Sequence, residues 1–120
     1  MKEYIYDKVH VLRVKDGDTI VVNVYIDIGF KTTIIKELTL RIKDLDTPET
    51  WRPSNDLEEE HGKQATQKAK ELLENKDVII KTYKPGKYGG RYIADITLPD
   101  GRDFKTVMIN EGFQKRKSYE

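Results

Sequence analysis

The 120-residue chain contains no cysteine. That removes disulfides, thiolate metal sites and a cysteine nucleophile from consideration and leaves the redox environment unmarked. No apolar run approaches the roughly 18 residues of a membrane-spanning helix. The start, "MKEYIYDKVHVLRV", lacks the apolar core followed by small residues that marks a secretion signal. With Met1 as the native start, the expected location is the cytoplasm, with no membrane partner. Excess charge is scarce as well: the formal net charge of +1 is too small for a domain that holds nucleic acid by bulk electrostatics.

What is present fits one soluble domain over residues 1–120, long enough to bury a core without covalent staples. Hydrophobic residues make up 37% and charged residues 36% of the chain, so the sign balance comes from mixing, and the mixing is uneven. Between Asp44 and Glu60 seven acids face one arginine, whereas Lys81, Lys84, Lys87 and Arg91 follow one another with no acid between them. Each run taken alone reads as a solvated face.

Strand formers dominate residues 4–45, where "YIYDKVHVLRV", "DTIVVNVYI" and "TTIIKELTLRI" are separated by Asp16-Gly17 and by Gly29-Phe30. Three antiparallel strands are expected. In the third, Leu38, Leu40 and Ile42 alternate with Glu37, Thr39, Arg41 and Lys43, which places Arg41 on the face opposite the leucines. Pro48 closes the segment by removing a donor and holding Thr47 extended. Over residues 57–74 the period changes. Ala65, Ala69, Leu72 and Leu73 form one apolar stripe on a helix, with a capping box expected at Asn55/Glu58 or Asp56/Glu59. The strand pattern returns in "DVIIKTY" and "RYIADITL", joined by a glycine-rich loop, "KPGKYGG". Phe104, Val107 and Met108 then predict a short second helix over 104–111, stopped at Gly112. The expected fold is α+β, mainly β: a five-stranded OB-fold barrel with a helix after strand 3 and a short C-terminal helix. Such barrels commonly bind oligonucleotides or sugars.

Three stretches carry residues suited to chemistry. In "KDGDT", glycine allows the positive φ of a bend at Asp16-Gly17, but Asp18 adds nothing to that bend and is disfavoured at a strand start. It is either decoration on a solvated edge or a residue with a role. In "RIKDLDTPET", Arg41, Asp46 and Glu49 fall within nine residues around Pro48. In "KYGGR", a loop ends in Arg91. Three carboxylates and two guanidinium groups suit a hard divalent cation with oxygen ligands and a phosphate gripped by planar arginine forks. A carboxylate left free of the metal would orient or deprotonate water. The combination describes metal-assisted phosphodiester hydrolysis.

The ordered set "DGDT", then an arginine ahead of "DTPE", then "KYG" and an arginine, resembles the staphylococcal nuclease (thermonuclease) family over nearly the whole chain, "NEGF" included. The resemblance implies a calcium-dependent endonuclease of low sequence specificity acting on DNA and RNA, as single strands or frayed duplex, and leaving 3′-phosphate ends. It implies Asp18 and Asp46 as carboxylate ligands of Ca²⁺ and the Thr47 carbonyl as a third. Glu49 would be the general base or water-orienting residue, with Arg41 and Arg91 the catalytic phosphate-binding arginines. Lys87 and Tyr88 would contact nucleotide phosphate. A monomer with no obligate protein partner is expected. The alternative is an OB-fold nucleic-acid-binding module without catalysis, since the family includes repeats that lost their catalytic groups; retention of Asp18, Arg41, Asp46, Glu49 and Arg91 favours the enzyme.

Departures from the family pattern carry their own expectations. "KYGGR" has one glycine more than "KYGR", which alters the reach of Arg91. The stretch Asn23–Leu38 predicts an extended second hairpin. The end at Glu120 leaves no room for the family's last helix, and Tyr119 is the only aromatic near it, so weaker base stacking is expected. His10 and His61 read as structural, Trp51 as a packing lid, and Lys115, Arg116 and Lys117 as a frayed tail or a contact to nucleic-acid backbone.

Overall fold

The structure, a computed structural model, describes residues 2–48, 50, 53–88 and 91–119, and for 84–88 the backbone alone. Its five strands are β1 (Lys2–Asp16), β2 (Thr19–Asp27), β3 (Thr33–Ile42), β4 (Asp77–Tyr88) and β5 (Arg91–Thr97), with helices α1 (Asp56–Leu73) and α2 (Phe104–Asn110). The strands close a barrel in the order β1-β2-β3-β5-β4, antiparallel except where β3 meets β5 side by side at Leu40–Tyr92 and Ile42–Ala94. A five-stranded barrel with a helix after the third strand and a short helix near the end is the architecture that the period changes in the sequence predict.

Alternation decides which side chains fill the barrel. Leu40 and Ile42 are buried while Arg41 between them is only partly so. In β1 the rule is broken in an informative way: Val9 and Val11 point inward, and so does Val14, three residues on. The ladder with β2 shifts register between Val11 and Arg13 and again between Val14 and Asp16. Each shift is a β-bulge that inserts one residue, bends the strand and re-aims the side chains beyond it. The bend lets one long strand pair with both β2 and β4, and it sets the facing of Asp16.

One end of the barrel is plugged by α1, whose Ala65, Ala69 and Leu73 are fully buried against the core, and by Phe104 and Met108 of α2. Asn55 caps α1 by accepting from the Glu58 N–H at 3.0 Å. The Glu58 carboxylate bonds the N–H of Ser54 at 2.7 Å, one residue earlier than a standard capping box. Gly112, at φ 85°, ends α2 with a Schellman pair of hydrogen bonds: its N–H to the Ile109 carbonyl and that of Phe113 to the Met108 carbonyl, both 3.0 Å.

One expectation changes and another holds. "KPGKYGG" is not a loop throughout, since β4 runs to Tyr88 and pairs again with β5 at Lys87–Tyr92 and Tyr88–Arg91 after a register shift. The β2–β3 hairpin is long, as the spacing predicts, and pairs as far as Asp27–Thr33. Its tip carries Phe30 fully exposed at φ 55°.

Candidate functional site

Asp18, Arg41, Asp46, Thr47 and Arg91, from four separate segments, line one cleft of about 240 Å³ together with Asp16 and Pro48. Each arrives for a local reason. The turn after β1 sets Asp18 at the mouth of β2, and the Asp18 carbonyl accepts the Ile42 N–H at 2.9 Å, tying that turn to the end of β3. Arg41 stands on the outer parity of β3, and β5 delivers Arg91 beside it through the parallel pairing.

Asp18 is the best-held group in the cleft. Its side chain is 10% exposed. Oδ2 accepts from the Thr47 N–H at 3.0 Å and the Thr47 hydroxyl at 3.2 Å, and Oδ1 accepts from the Thr19 hydroxyl at 3.0 Å. The Arg41 guanidinium lies between two acids, with Nη2 at 3.5 Å from Asp18 Oδ2 and 3.6 Å from Asp46 Oδ1. It is fixed there by Nη1, which donates to the carbonyls of Ile42 at 2.9 Å and of Leu45. The Asp46 side chain is 60% exposed and so presents free carboxylate surface to the cleft.

Asp16 is a member that sequence reasoning assigned only to the bend. The second bulge brings it to the cleft, and the one available signal was a pair of acids two residues apart. Burial, with the Asp18 carboxylate beside it as the next cause, pushes Asp16 from the ordinary 3.8 up to about 7. Burial also pushes Asp18 upward, but hydrogen bonds from the Asp16 carboxyl and the Thr47 N–H, with the Arg41 charge, outweigh it and hold Asp18 below its ordinary value. The two carboxyls, two residues apart, are thereby pushed in opposite directions.

The chemistry of the donor set is the test of whether a cation suits these residues, and they fit one. Carboxylate oxygens of Asp18 and Asp46, with the Thr47 carbonyl, are the hard donors that Ca²⁺ takes, with waters completing the shell. Among the described residues, no group of three or more His, Cys, Asp or Glu is placed to hold a metal ion by itself.

The shift on Asp16 gives a pH prediction for the chelated protein. An acid whose folded pKa is raised binds its proton more tightly in the native state, so its contribution falls as pH rises through the window from 3.8 to about 7. Asp18, shifted the other way, loses its contribution only as pH falls below its ordinary 3.8. The melting temperature in EDTA is expected to drop as pH rises from 3.8 to about 7, and Asp16→Asn is expected to flatten that slope. An equal slope in both proteins would show that Asp16 is not its source.

Gly17 is not in the left-handed region, contrary to the expectation for the bend. Space requires it instead: a Cβ there would stand 2.7 Å from Thr47 Cγ2 and 2.9 Å from Thr47 Oγ1. Threonine is stiff at χ1 and its hydroxyl is engaged with Asp18, so Gly17→Ala forces the turn and the Thr47 segment apart. A loss of about 1–3 kcal/mol in denaturant unfolding is expected; an unchanged midpoint would mean that Thr47 yields freely.

The remaining candidates divide. Glu49 and Trp51 lie outside the described residues. Lys87 and Tyr88 lie on the described backbone of β4, but their side chains are outside it. His10 pairs with Asp77 at 2.8 Å, outside the 240 Å³ cleft. His61 is structural: Nε2–H donates to the Gly112 carbonyl, and Nδ1 meets the Tyr119 hydroxyl, each at 2.7 Å. Tyr119 is 5% exposed and locked against α1, so it presents no face for a base to stack on. The segment with Lys115, Arg116 and Lys117 is no frayed tail; it packs against α1 through Tyr119 and through a Lys115–Glu58 ion pair at 3.3 Å.

Comparison with family models matches residues 39–120 to the family described as staphylococcal nuclease homologue. The match spans more than half of the chain and contains Arg41, Asp46, Thr47, Glu49, Lys87, Tyr88 and Arg91, while Asp18 precedes it and shares the cleft with Arg41, Asp46, Thr47 and Arg91. No curated protein matches the chain.

Proposed function

Because the chain belongs to the staphylococcal nuclease homologue family, we propose that it is a calcium-dependent endonuclease that hydrolyses phosphodiester bonds of DNA and RNA with low sequence specificity. The observation that carries this reading is the Arg41 guanidinium set between the Asp18 and Asp46 carboxylates at 3.5 and 3.6 Å, with Arg91 lining the same cleft. The residues that would hold a cation and those that would grip a phosphate thereby line one small space.

Asp18, Asp46 and the Thr47 carbonyl would hold Ca²⁺, which when bound supplies Lewis-acid polarisation of a phosphoryl oxygen. Glu49, three residues beyond Asp46, orients a water and takes its proton as the oxygen–phosphorus bond forms in line. The bond from phosphorus to the 5′ oxygen breaks, and the 3′ side keeps the phosphate. Arg41 and Arg91 meet the equatorial oxygens, where charge builds in the transition state. Lys87 and Tyr88 contact a neighbouring phosphate.

The test is incubation with single-stranded DNA and with RNA, in calcium and in EDTA. Shortening in calcium alone, with ends that accept label only after phosphatase treatment of the 3′ terminus, supports the proposal. A second reading, a binding module without catalysis, draws on Arg41 standing where a shared ion would compete with it. Retained binding with no cleavage in any divalent metal would decide for that module.

A further inference from the structure

Both backbone hydrogen-bonding groups of Asp46 are held by one short segment after α2. The Asp46 N–H donates to Gln114 Oε1 at 3.0 Å, and the Asp46 carbonyl accepts the Lys115 N–H at 2.7 Å. Only the oxygen end of the Gln114 amide meets an N–H donor, so its orientation is fixed by chemistry. Among the described residues, the carboxylate of Asp46 makes no comparable contact: its Oδ1 faces Arg41 Nη2 at 3.6 Å and its side chain is mostly exposed. The direction of this carboxylate is therefore set by its backbone, and its backbone is set by Gln114 and Lys115.

The clamping segment is itself anchored. Gly112 turns the chain back from α2, and its carbonyl takes the His61 Nε2–H. Lys115 Nζ pairs with the buried Glu58. Tyr119 bonds His61 through its hydroxyl, accepts the Arg116 N–H at 3.0 Å and offers its carbonyl to the Asn55 amide. The N-terminal end of α1 thus becomes the post to which the segment is tied, and residues 114–115 reach from that post to the cleft.

We propose that residues 112–119 act as a strap that positions Asp46, and that Gln114 is a positioning residue for its carboxylate. The inference rests on the reading of Asp46 as a Ca²⁺ ligand. A partner one bond away from a ligand matters because a cation site tolerates little drift of its oxygens, and loss of such a partner typically lowers affinity roughly ten- to a hundredfold. Gln114→Ala leaves the Asp46 N–H facing water, since this hydrogen bond is at the surface, so the fold is expected to persist while the ligand loses its aim.

Calcium titration by calorimetry of the full chain is the measurement, with amide exchange at Asp46 followed in EDTA. In Gln114→Ala, calcium affinity is expected to fall at least about tenfold, and the Asp46 amide to exchange faster before any metal is added. The calcium needed for half-maximal cleavage should rise, with kcat recovered at saturating calcium. Gln114→Glu keeps an acceptor oxygen at the same reach and is expected to restore affinity and amide protection. Two failures are distinguishable. If Asp46→Asn abolishes calcium binding while Gln114→Ala binds as wild type, the strap is overturned and the metal reading stands. If Asp46→Asn binds calcium as wild type, the metal reading fails and takes this inference with it.

Discussion

Arg41→Ala is expected to lower kcat by roughly a hundred- to a thousandfold while calcium affinity rises. The opposed signs come from where the guanidinium sits. Nη2 lies 3.5 and 3.6 Å from the carboxylates proposed to hold the metal, so a fixed positive charge borders the space that a divalent ion would share. The guanidinium cannot swing clear, because Nη1 is held by the carbonyls of Ile42 and Leu45. Removing it leaves Asp16, Asp18 and Asp46 with less neutralisation and a greater demand for a cation. The same removal strips the transition state of a preorganised donor for phosphoryl oxygens. Single-turnover cleavage at saturating calcium measures the first effect and calorimetry the second. A parallel fall in kcat and calcium affinity would show that Arg41 organises the carboxylates instead of competing at them. Arg41→Lys keeps the charge without the planar fork and is expected to recover calcium behaviour but not turnover.

Glu49→Gln is expected to reduce kcat by roughly two to four orders of magnitude with little change in KM or in calcium affinity. The replacement is nearly isosteric and keeps a hydrogen-bonding oxygen, so it removes basicity and little else. Glu49 stands three residues after Asp46, across Pro48, which allows one acid to hold the ion while the other addresses water. The acid limb of the pH–rate profile should vanish with it, because that limb reports the base losing its proton acceptor capacity. Equal turnover in the two proteins would remove Glu49 from the mechanism, and a matching loss of calcium affinity would make it a ligand instead.

Much of the molecule was legible along the chain. The alternation in residues 37–43 placed Arg41 away from the core, and the structure has Leu40 and Ile42 buried on either side of it. The stripe of Ala65, Ala69, Leu72 and Leu73 announced α1, and Gly112 marked the end of α2. These features are local: a side chain's facing in a regular element depends on its position modulo the period. "KPGKYGG" misled because proline and glycine usually break strands, whereas here the chain uses a register shift to continue β4 past Pro85 and Gly86 to Tyr88. Tyr119 gave no warning either, since nothing beside it in the chain shows that His61, 58 residues earlier, holds its hydroxyl.

By itself, then, the sequence determined the barrel with its two helices, the family, and the residue types from which a cation and a phosphate site can be built, because periodicity, caps and a spaced motif are written within a few residues. Tertiary structure alone decided that Asp16 joins Asp18, that Gly17 is needed for closeness to Thr47, and that Gln114 holds Asp46. Those outcomes depend on two bulges that change the facing of β1 and on contacts between segments 29 to 68 residues apart. Closing the barrel fixes such distances, and no spacing along the chain encodes them.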